Sequence, residues 1–250
     1  MSEIVHRIGL LVPSSDGVTE ADFKNLLPRN VSFHTGRLYH NDSTPRGKPT
    51  LDEIVGQTEA AIRSIEQVDP ELVVFACTSA SFYKGLGWDR QIAERIRAAV
   101  GVPAIVTTTA VTDALRTVGA KQIYMVTPYP ETINKIELKF FHDSGIEVTG
   151  YTHFECAKAK EISDILPAQI TERVLTVRKD IHGCDALLIS CTGLRGADTV
   201  ARLEPELGMP VITSNAATVW ATVRALGLST AKIPGGRLSA TASSQASMVA

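Results

Sequence analysis

The stretches LVVFACTSAS (Leu72–Ser81) and ALLISCTGLR (Ala186–Arg195) decide the fold of this 250-residue chain. Each begins with an apolar run of strand length and then changes abruptly to a Cys-Thr pair followed by small or polar residues. Apolar runs of this kind are typical of strands that are covered on both faces of a parallel sheet. The repeated motif therefore predicts two buried strands, one in each half of the chain.

Two further pairs of motifs occur in the same order. IGLLVPSS (Ile8–Ser15) resembles IYMVTPYP (Ile123–Pro130), and GVPAIVTTTAV (Gly101–Val111) resembles GMPVITSNAAT (Gly208–Thr218). A spacing of 65 positions separates Val12 from Cys77, and the same 65 positions separate Val126 from Cys191. Similar motifs at one spacing predict two lobes that are related by pseudo-symmetry.

Eight β-rich runs alternate with helical patterns. The predicted strands are Arg7–Pro13, Val31–Leu38, Glu71–Cys77, Ala104–Thr107, Lys121–Thr127, Glu147–Tyr151, Ala186–Cys191 and Val211–Ser214. This alternation predicts an α/β fold in which each lobe is a four-stranded, mainly parallel sheet flanked by helices. We place the first lobe at residues 1–118 plus 215–250 and the second at residues 119–214, so that the C-terminal helix returns to the first lobe.

Two of the segments between the strands have the apolar spacing of a single helix each. The end of the chain shows no such spacing. Apolar residues from Leu51 to Ile65 fall at helical spacing, and Ile170 to Ile181 is a further helix candidate. The tail from Gly236 to Ala250 is rich in Ser, Ala and Gly with little apolar pattern. We expect this tail to be flexible or to form an edge extension.

The composition excludes several classes of function. Hydrophobic residues make up 44% of the chain, which is enough for a substantial core, and the formal net charge is -2. That charge gives no electrostatic reason to bind nucleic acid or an anionic membrane, and no apolar run approaches the roughly 18 residues of a membrane span. The sequence shows no metal-ligand spacing and no nucleotide-binding loop. We expect a cytoplasmic protein that needs no cofactor and no metal and has no nucleic-acid or membrane partner.

Polar motifs follow the predicted strands at the ends where ligands bind in open α/β sheets. The candidate catalytic residues are Cys77 and Cys191, and the candidate substrate-binding residues are Ser14, Ser15, Asp16, Thr78, Ser79, Thr127, Tyr129, Thr192 and Gly193. Taken singly, such serines and threonines are usually helix caps, and a buried cysteine is usually a small hydrophobe. The joint, repeated pattern favours a site instead. Cys156 and Cys184 lack this context, and we interpret them as structural.

The motifs resemble those of the aspartate/glutamate racemase superfamily, and most of all its branch with maleate cis-trans isomerase and arylmalonate decarboxylase. The resemblance is carried by RIGLLVPSS (Arg7–Ser15), CTSASFYKG (Cys77–Gly85), VTPYPETIN (Val126–Asn134) and SCTGLRGAD (Ser190–Asp198). It implies a small carboxylate substrate, a substrate-binding tyrosine at Tyr129 and a homo-oligomer.

Two positions depart from the branch. Asp16 stands where maleate isomerases usually have asparagine, and an acid there repels a substrate carboxylate unless it points away. Cys77 stands where the decarboxylases have glycine, which argues against a simple decarboxylase.

Two cysteines on one substrate can share the chemistry, because a thiolate attacks carbon or accepts a proton and a thiol donates one. The resemblance implies a cofactor-independent isomerase of a small dicarboxylate, in which Cys77 adds to an alkene carbon and Cys191 handles the proton. Hydroxyl and backbone donors would stabilise the charge that develops on the carboxylate. Three alternatives stay open: an amino-acid or hydantoin-type racemase, an arylmalonate-type decarboxylase, and a two-lobed carboxylate-binding protein without turnover.

Overall fold

The computed structural model describes residues 5–41 and 47–241, and within them eight strands form two separate parallel sheets. The strands are β1 (His6–Pro13), β2 (Val31–Leu38), β3 (Leu72–Phe75), β4 (Ala104–Val106), β5 (Gln122–Thr127), β6 (Glu147–His153), β7 (Ala186–Ile189) and β8 (Val211–Thr213). Their orders are β2-β1-β3-β4 and β6-β5-β7-β8, and every neighbouring pair is parallel. The predicted fold class, two α/β lobes with four-stranded parallel sheets, is confirmed.

Helices cover both sheets. They are α1 (Thr19–Leu26), α2 (Lys48–Gly56), α3 (Thr58–Arg63), α4 (Thr78–Phe82), α5 (Trp88–Val100), α6 (Thr107–Thr117), α7 (Glu131–Asp143), α8 (Ala159–Ser163), α9 (Pro167–Thr176), α10 (Arg178–Ile181), α11 (Val200–Leu207), α12 (Ser214–Ala225) and α13 (Gly236–Ser239). Short 3-10 helices lie at Glu66–Val68, Ala197–Thr199 and Thr230–Lys232. Because β3 and β7 are buried along their whole length, they read in the sequence as continuous apolar runs.

Two predicted helices are each divided in the structure. The segment from Leu51 to Ile65 covers most of α2 and all of α3, and the helical backbone is interrupted at Gln57, just after Gly56. Glycine is a poor helix former, which accounts for the break at this point. The segment from Ile170 to Ile181 contains α9 and α10, with Val177 between them. Valine loses side-chain freedom inside a helix, so a break there costs little.

The strands that lead to the two cysteines end earlier than predicted. β3 stops at Phe75 and β7 at Ile189, because their pairing with the short strands β4 and β8 ends there. Cys77 and Cys191 therefore each lie in a loop, two residues beyond the strand. The pseudo-symmetric topology places these two loops at equivalent positions of their sheets.

Helix α12 follows the last strand of the second sheet but packs on elements of the first. It contacts α1 and α6, and its Ala216, Val219 and Val223 share a buried cluster with Ile8 and Leu10 of β1. The boundaries at residues 118 and 214, at which we divide the chain into domains, stay a prediction.

The prediction of a flexible or edge-extending tail is wrong for its first residues. Gly236–Ser239 forms α13, and the Arg237 N–H donates to both carboxylate oxygens of Glu204 at 3.1 and 2.9 Å. Leu238 is buried against the rest of the protein. A buried carboxylate that accepts backbone hydrogen bonds and a buried leucine together anchor this segment. Residues 242–250 of the predicted tail lie outside the described residues.

Candidate active site

One cavity lies where the carboxyl ends of the two sheets face each other, with an empty volume of about 310 Å³ that includes solvent at its mouth. It is lined by Pro13, Ser15, Asp16, Cys77, Thr78 and Ser79 from the first half of the chain, and by Tyr129, Ala159, Ile162, Ser163, Cys191, Thr192 and Gly193 from the second. The structure thus brings both candidate cysteines to one cavity. Nine of the eleven candidate site residues line it, while Ser14 and Thr127 do not.

The Cys77 loop enters the cavity from the first lobe. Cys77 has extended backbone angles and stands immediately before α4, so the chain turns into the helix directly after the thiol. The Ser79 hydroxyl lies 3.9 Å from the Cys77 sulfur. The Thr78 hydroxyl donates to the Ser214 hydroxyl at 3.1 Å. Cys77, Thr78 and Ser79 are all buried, so water has little access to the thiol.

The Cys191 loop enters from the second lobe with an unusual backbone. Cys191 has a φ of 120°, a region that residues with a side chain rarely adopt. Such a conformation costs on the order of 1–3 kcal/mol and persists only where surrounding contacts hold it, often at functional sites. Two of the contacts that hold this loop reach its Cys-Thr pair: the Cys191 N–H donates to the Ser214 hydroxyl at 3.0 Å, and the Thr192 hydroxyl donates to the Ala76 carbonyl at 3.4 Å. The second contact joins the two lobes directly before Cys77.

Gly193 keeps the cavity open beside Cys191. A Cβ atom at this position would lie 3.8 Å from the Cys191 sulfur and 3.9 Å from Asp16 Oδ2. A larger side chain would therefore extend into the space between the thiol and the acid. This gives Gly193 a physical reason to be glycine even though its φ is not in the left-handed region.

Asp16 lines the cavity, and its carboxylate is bound to the first turn of α1. Oδ1 accepts the backbone N–H groups of Val18 and Thr19 at 2.8 Å each, and Oδ2 accepts the Thr19 hydroxyl at 2.7 Å. The positive end of the helix dipole compensates a carboxylate in this position. The acid therefore binds the backbone at the N-terminus of α1 from the cavity wall, and its repulsion of a substrate carboxylate is reduced.

Tyr129 lies at the carboxyl end of β5 and is fully buried. Its carbonyl accepts a hydrogen bond from the Asn134 side-chain amide at 3.0 Å, and its ring packs edge-on against Phe82 at 6.2 Å between centroids. Thr127 is also fully buried, but its hydroxyl donates to Asn134 at 2.6 Å and accepts the Tyr129 N–H at 3.3 Å. Thr127 thus shapes the loop that carries Tyr129, and it does so from outside the cavity.

The two serines of the Pro-Ser-Ser turn contact His40, which is absent from the candidate site residues of the sequence analysis. The Ser15 hydroxyl lies 3.0 Å from His40 Nε2, and the Ser14 hydroxyl lies 3.4 Å from His40 Nδ1. His40 is buried and follows the end of β2. Ser14 itself is exposed, whereas Ser15 lines the cavity. His40 could have been found from its place after a strand end, the same rule that found the serines.

The sequence reasoning also missed the wall that α8 forms. Ala159, Ile162 and Ser163 line the cavity, and a methyl carbon of Ile162 would lie 3.6 Å from a Cβ placed on Gly193. This segment carries no repeated motif, so the repeated sequence patterns do not mark it as part of the site. It does follow β6, so its position beyond a strand end was the available signal.

Two buried acids lie behind the cavity wall. Burial raises the pKa of Glu137 to about 8, against the opposing effect of its hydrogen bond with Ser190. Burial also raises the pKa of Asp22 to about 7, and the hydrogen bond from Asn215 acts in the other direction. The Asn215 amide donates at 2.8 Å to the Thr192 carbonyl as well, so Asp22 is linked to the Cys191 loop.

The other two cysteines lie outside the cavity lining. All four cysteines carry thiols, and neither Cys156 nor Cys184 lines the cavity. Cys184 is half-buried with its sulfur 3.1 Å from the Thr149 hydroxyl.

Within residues 5–41 and 47–241, no group of histidine, cysteine or acidic side chains is arranged to hold a metal ion. Over the same ranges, the helices are too short or too polar to span a bilayer.

Comparisons with known proteins agree along the whole fold. The family model described as arylmalonate decarboxylase matches residues 8–239. Arylmalonate decarboxylase of Bordetella bronchiseptica is 27% identical over 232 residues, covering 92% of this chain and 95% of that protein. Maleate isomerase of Nocardia farcinica is 28% identical over 244 residues, covering 94% of this chain and 95% of that protein. The solved structure of a cysteine-to-alanine variant of the maleate isomerase Iso from Pseudomonas putida S16 with maleate superposes with a TM-score of 0.87 at 25% identity, covering 95% of this chain and 98% of that one.

The two-lobed α/β fold and these relatives define an enzyme whose homologues act on small carboxylates. The chain belongs to the arylmalonate decarboxylase family, in the branch that also contains maleate isomerase. The resemblance stated from the motifs is confirmed.

Proposed function

We propose that this protein is a cofactor-independent isomerase of a small dicarboxylate, similar to maleate cis-trans isomerase, with Cys77 and Cys191 as its catalytic residues. One observation carries the proposal: thiols from pseudo-equivalent loops of the two lobes line the same cavity. A decarboxylation that needs only one cysteine gives no reason to keep both. Maleate isomerases also match the chain over nearly its full length.

In the proposed reaction the Cys77 thiolate adds to one alkene carbon and forms a carbon–sulfur bond. The electron pair of the double bond moves to the neighbouring carbon and its carboxylate, and Cys191 donates its proton to that carbon. The former double bond is now single and rotates. The Cys191 thiolate then removes the proton, the carbon–sulfur bond breaks, and the trans product leaves with both cysteines restored.

Charge on the substrate carboxylate rises during this addition, so donors aimed at its oxygens accelerate the step. We propose Ser15, Ser79 and Tyr129 as side-chain donors, together with backbone N–H groups of the two cysteine loops. The hydroxyl hydrogens of Thr78 and Thr192 are already donated within the protein. We therefore propose that these two threonines contribute through their backbone and by holding the loops.

A second candidate is a decarboxylase of aryl- or alkylmalonates. It is favoured by the family model and by the apolar side chains of Pro13, Ala159 and Ile162 in the cavity wall. Such a wall suits a substrate with one hydrocarbon substituent, because a second carboxylate there would lose its hydration without gaining partners. The presence of Cys77 favours the isomerase over this candidate.

Proton NMR in deuterated water separates these functions. The purified protein is mixed in turn with maleate, aryl- and alkylmalonates, aspartate, glutamate and hydantoins. Conversion of maleate to fumarate supports the isomerase, loss of a carboxyl group from a malonate supports the second candidate, and deuterium exchange at the α-carbon indicates a racemase. Cys77→Ser should abolish isomerisation, while Cys184→Ser, a cysteine outside the cavity, should keep it. No turnover of any of these compounds would contradict the proposal.

The resemblance also implies a homo-oligomer. Light scattering on the purified protein tests this part of the proposal, because a monomer at micromolar concentration would contradict it.

A further inference from the structure

We propose that Ser214 is a positioning residue that couples the two cysteine loops. Its hydroxyl oxygen accepts the backbone N–H of Cys191 at 3.0 Å and the hydroxyl of Thr78 at 3.1 Å. Thr78 directly follows Cys77, so one buried oxygen contacts both loops, one from each lobe. Ser214 does not line the cavity and therefore acts through these neighbours.

The bond to Cys191 is the hydrogen bond that acts directly on a strained residue, while its neighbour Thr192 is held by separate bonds to Ala76 and Asn215. With a φ of 120°, Cys191 is in a region that disfavours every residue except glycine. Its N–H is satisfied by Ser214 inside the buried loop. Removal of that acceptor would leave a buried donor without its partner, and the loop would relax toward an ordinary conformation. Relaxation at Cys191 would move its thiol relative to Cys77.

The hydrogen bond from Thr78 to Ser214 determines whether the Thr78 hydroxyl can donate a hydrogen bond into the cavity. Because the Thr78 hydroxyl donates its hydrogen to Ser214, its oxygen can act only as a hydrogen-bond acceptor toward other groups. Without Ser214 the hydrogen would be released to other acceptors, including a bound carboxylate. Ser214 therefore controls the hydrogen-bonding character of one wall residue and the geometry of one thiol at the same time.

The start of α12 is built to hold Ser214 in place. The preceding residue, Thr213, caps the helix by accepting the Ala216 N–H at 3.2 Å. The following residue, Asn215, donates to the Thr192 carbonyl at 2.8 Å. Thus the first turn of α12 binds both the N–H of Cys191 and the carbonyl of Thr192. Helix α12 itself packs on α1 and α6.

Ser214→Ala tests this role, with Thr222→Ala as the matched control. Thr222 lies on the same helix and is equally buried, and among the described residues its hydroxyl bonds only within the helix, to the Thr218 carbonyl. The first measurement needs no substrate: the rate at which iodoacetamide alkylates Cys191, followed peptide by peptide by mass spectrometry between pH 6 and 9. We expect Ser214→Ala to raise this rate at least threefold and Thr222→Ala to leave it within a factor of two.

The second measurement rests on the proposed function. On the substrate that the wild-type protein turns over, we expect Ser214→Ala to lower kcat about 10- to 100-fold with little change in KM, and Ser214→Thr, which keeps the hydroxyl, to recover much of it. A wild-type alkylation rate in Ser214→Ala, or an effect no larger than that of Thr222→Ala, would overturn the proposal. If Ser214→Ala does not fold, Thr78→Val removes one of the two bonds and should still alter the alkylation of Cys191. The alkylation result stands even if none of the proposed substrates is converted, so failure of the positioning role and failure of the proposed function can be told apart.

Discussion

Glu137 and Ser190 form a side-chain hydrogen bond in the core of the second lobe, one residue before Cys191. Glu137 is fully buried on α7, and one of its carboxylate oxygens finds no hydrogen-bond partner among the described residues. Burial disfavours the charged form and raises the pKa of Glu137 to about 8. The carboxyl group is therefore mostly protonated at neutral pH. A protonated acid can make this hydrogen bond without bringing a charge into the core.

Glu137→Gln should increase stability at neutral and alkaline pH. Between the ordinary pKa of 4.5 and the folded value of about 8, the unfolded chain loses a proton that the folded chain keeps. Stability of the wild-type protein therefore falls as pH rises through this window, whereas glutamine cannot ionise. We expect an advantage for the variant on the order of 3 kcal/mol near pH 8, shrinking toward pH 5. Urea unfolding from pH 5 to 8 measures it, and Glu172→Gln on the exposed side of α9 is the control. A pH-independent difference would show that Glu137 is ionised in the fold.

Asp16→Asn should strengthen the binding of a dicarboxylate at a small cost in stability. Asparagine keeps one oxygen that can accept the N–H groups of Val18 and Thr19 but loses the charge at the N-terminus of α1. Loss of this cap interaction costs about 0.5–1 kcal/mol. Removal of a negative charge from the cavity wall should lower KM about three- to tenfold. Steady-state kinetics and thermal unfolding check both effects, with the exposed Asp164→Asn as the charge-matched control. An unchanged KM in Asp16→Asn would mean that the substrate does not approach this acid.

Cys77→Ser and Cys191→Ser should fail at different steps of the proposed isomerisation. A serine hydroxyl stays protonated at neutral pH and cannot replace a thiolate nucleophile, so Cys77→Ser should form no covalent adduct. Cys191→Ser should add substrate through Cys77, and once water protonates the neighbouring carbon the adduct should accumulate, because no thiolate is present to remove that proton again. Intact-protein mass spectrometry after mixing with substrate reads both outcomes, and Cys184→Ser should behave as wild type. Full activity in Cys77→Ser would favour the decarboxylase.

Tyr129→Phe should lower turnover without unfolding the protein. The ring is buried against Phe82, and phenylalanine keeps that packing. If the hydroxyl meets the charge that develops on the substrate carboxylate, its loss should cost about 2–4 kcal/mol of transition-state stabilisation, or roughly 30- to 1,000-fold in kcat/KM. Kinetics and the melting temperature are measured together. Wild-type kinetics would remove Tyr129 from the site, and a large fall in melting temperature would indicate a packing role instead.

The Cys77 and Cys191 loops could be predicted from the sequence because the information is local and repeated. Apolar strands and Cys-Thr pairs recur at one spacing, and parallel strands place their carboxyl ends at a common edge. The same rule found Ser15, Asp16 and Tyr129. It also included Thr127, which lies at the right strand end, but its hydroxyl is turned toward Asn134 and away from the cavity. A strand-end position fixes where a residue lies and leaves open where its side chain points.

What the sequence by itself determined is the fold class, the duplication and the pair of cysteines, since each depends on the order and periodicity of nearby residues. What only the tertiary structure decided depends on contacts between distant segments. Ser214 meets Cys191 and Thr78 across 23 and 136 positions of sequence, and Glu137 meets Ser190 across 53. The wall formed by α8 has no motif at all. Such contacts arise only when distant segments fold together, within one lobe or between the two, and no local pattern encodes them because each partner alone satisfies only ordinary rules of capping and burial.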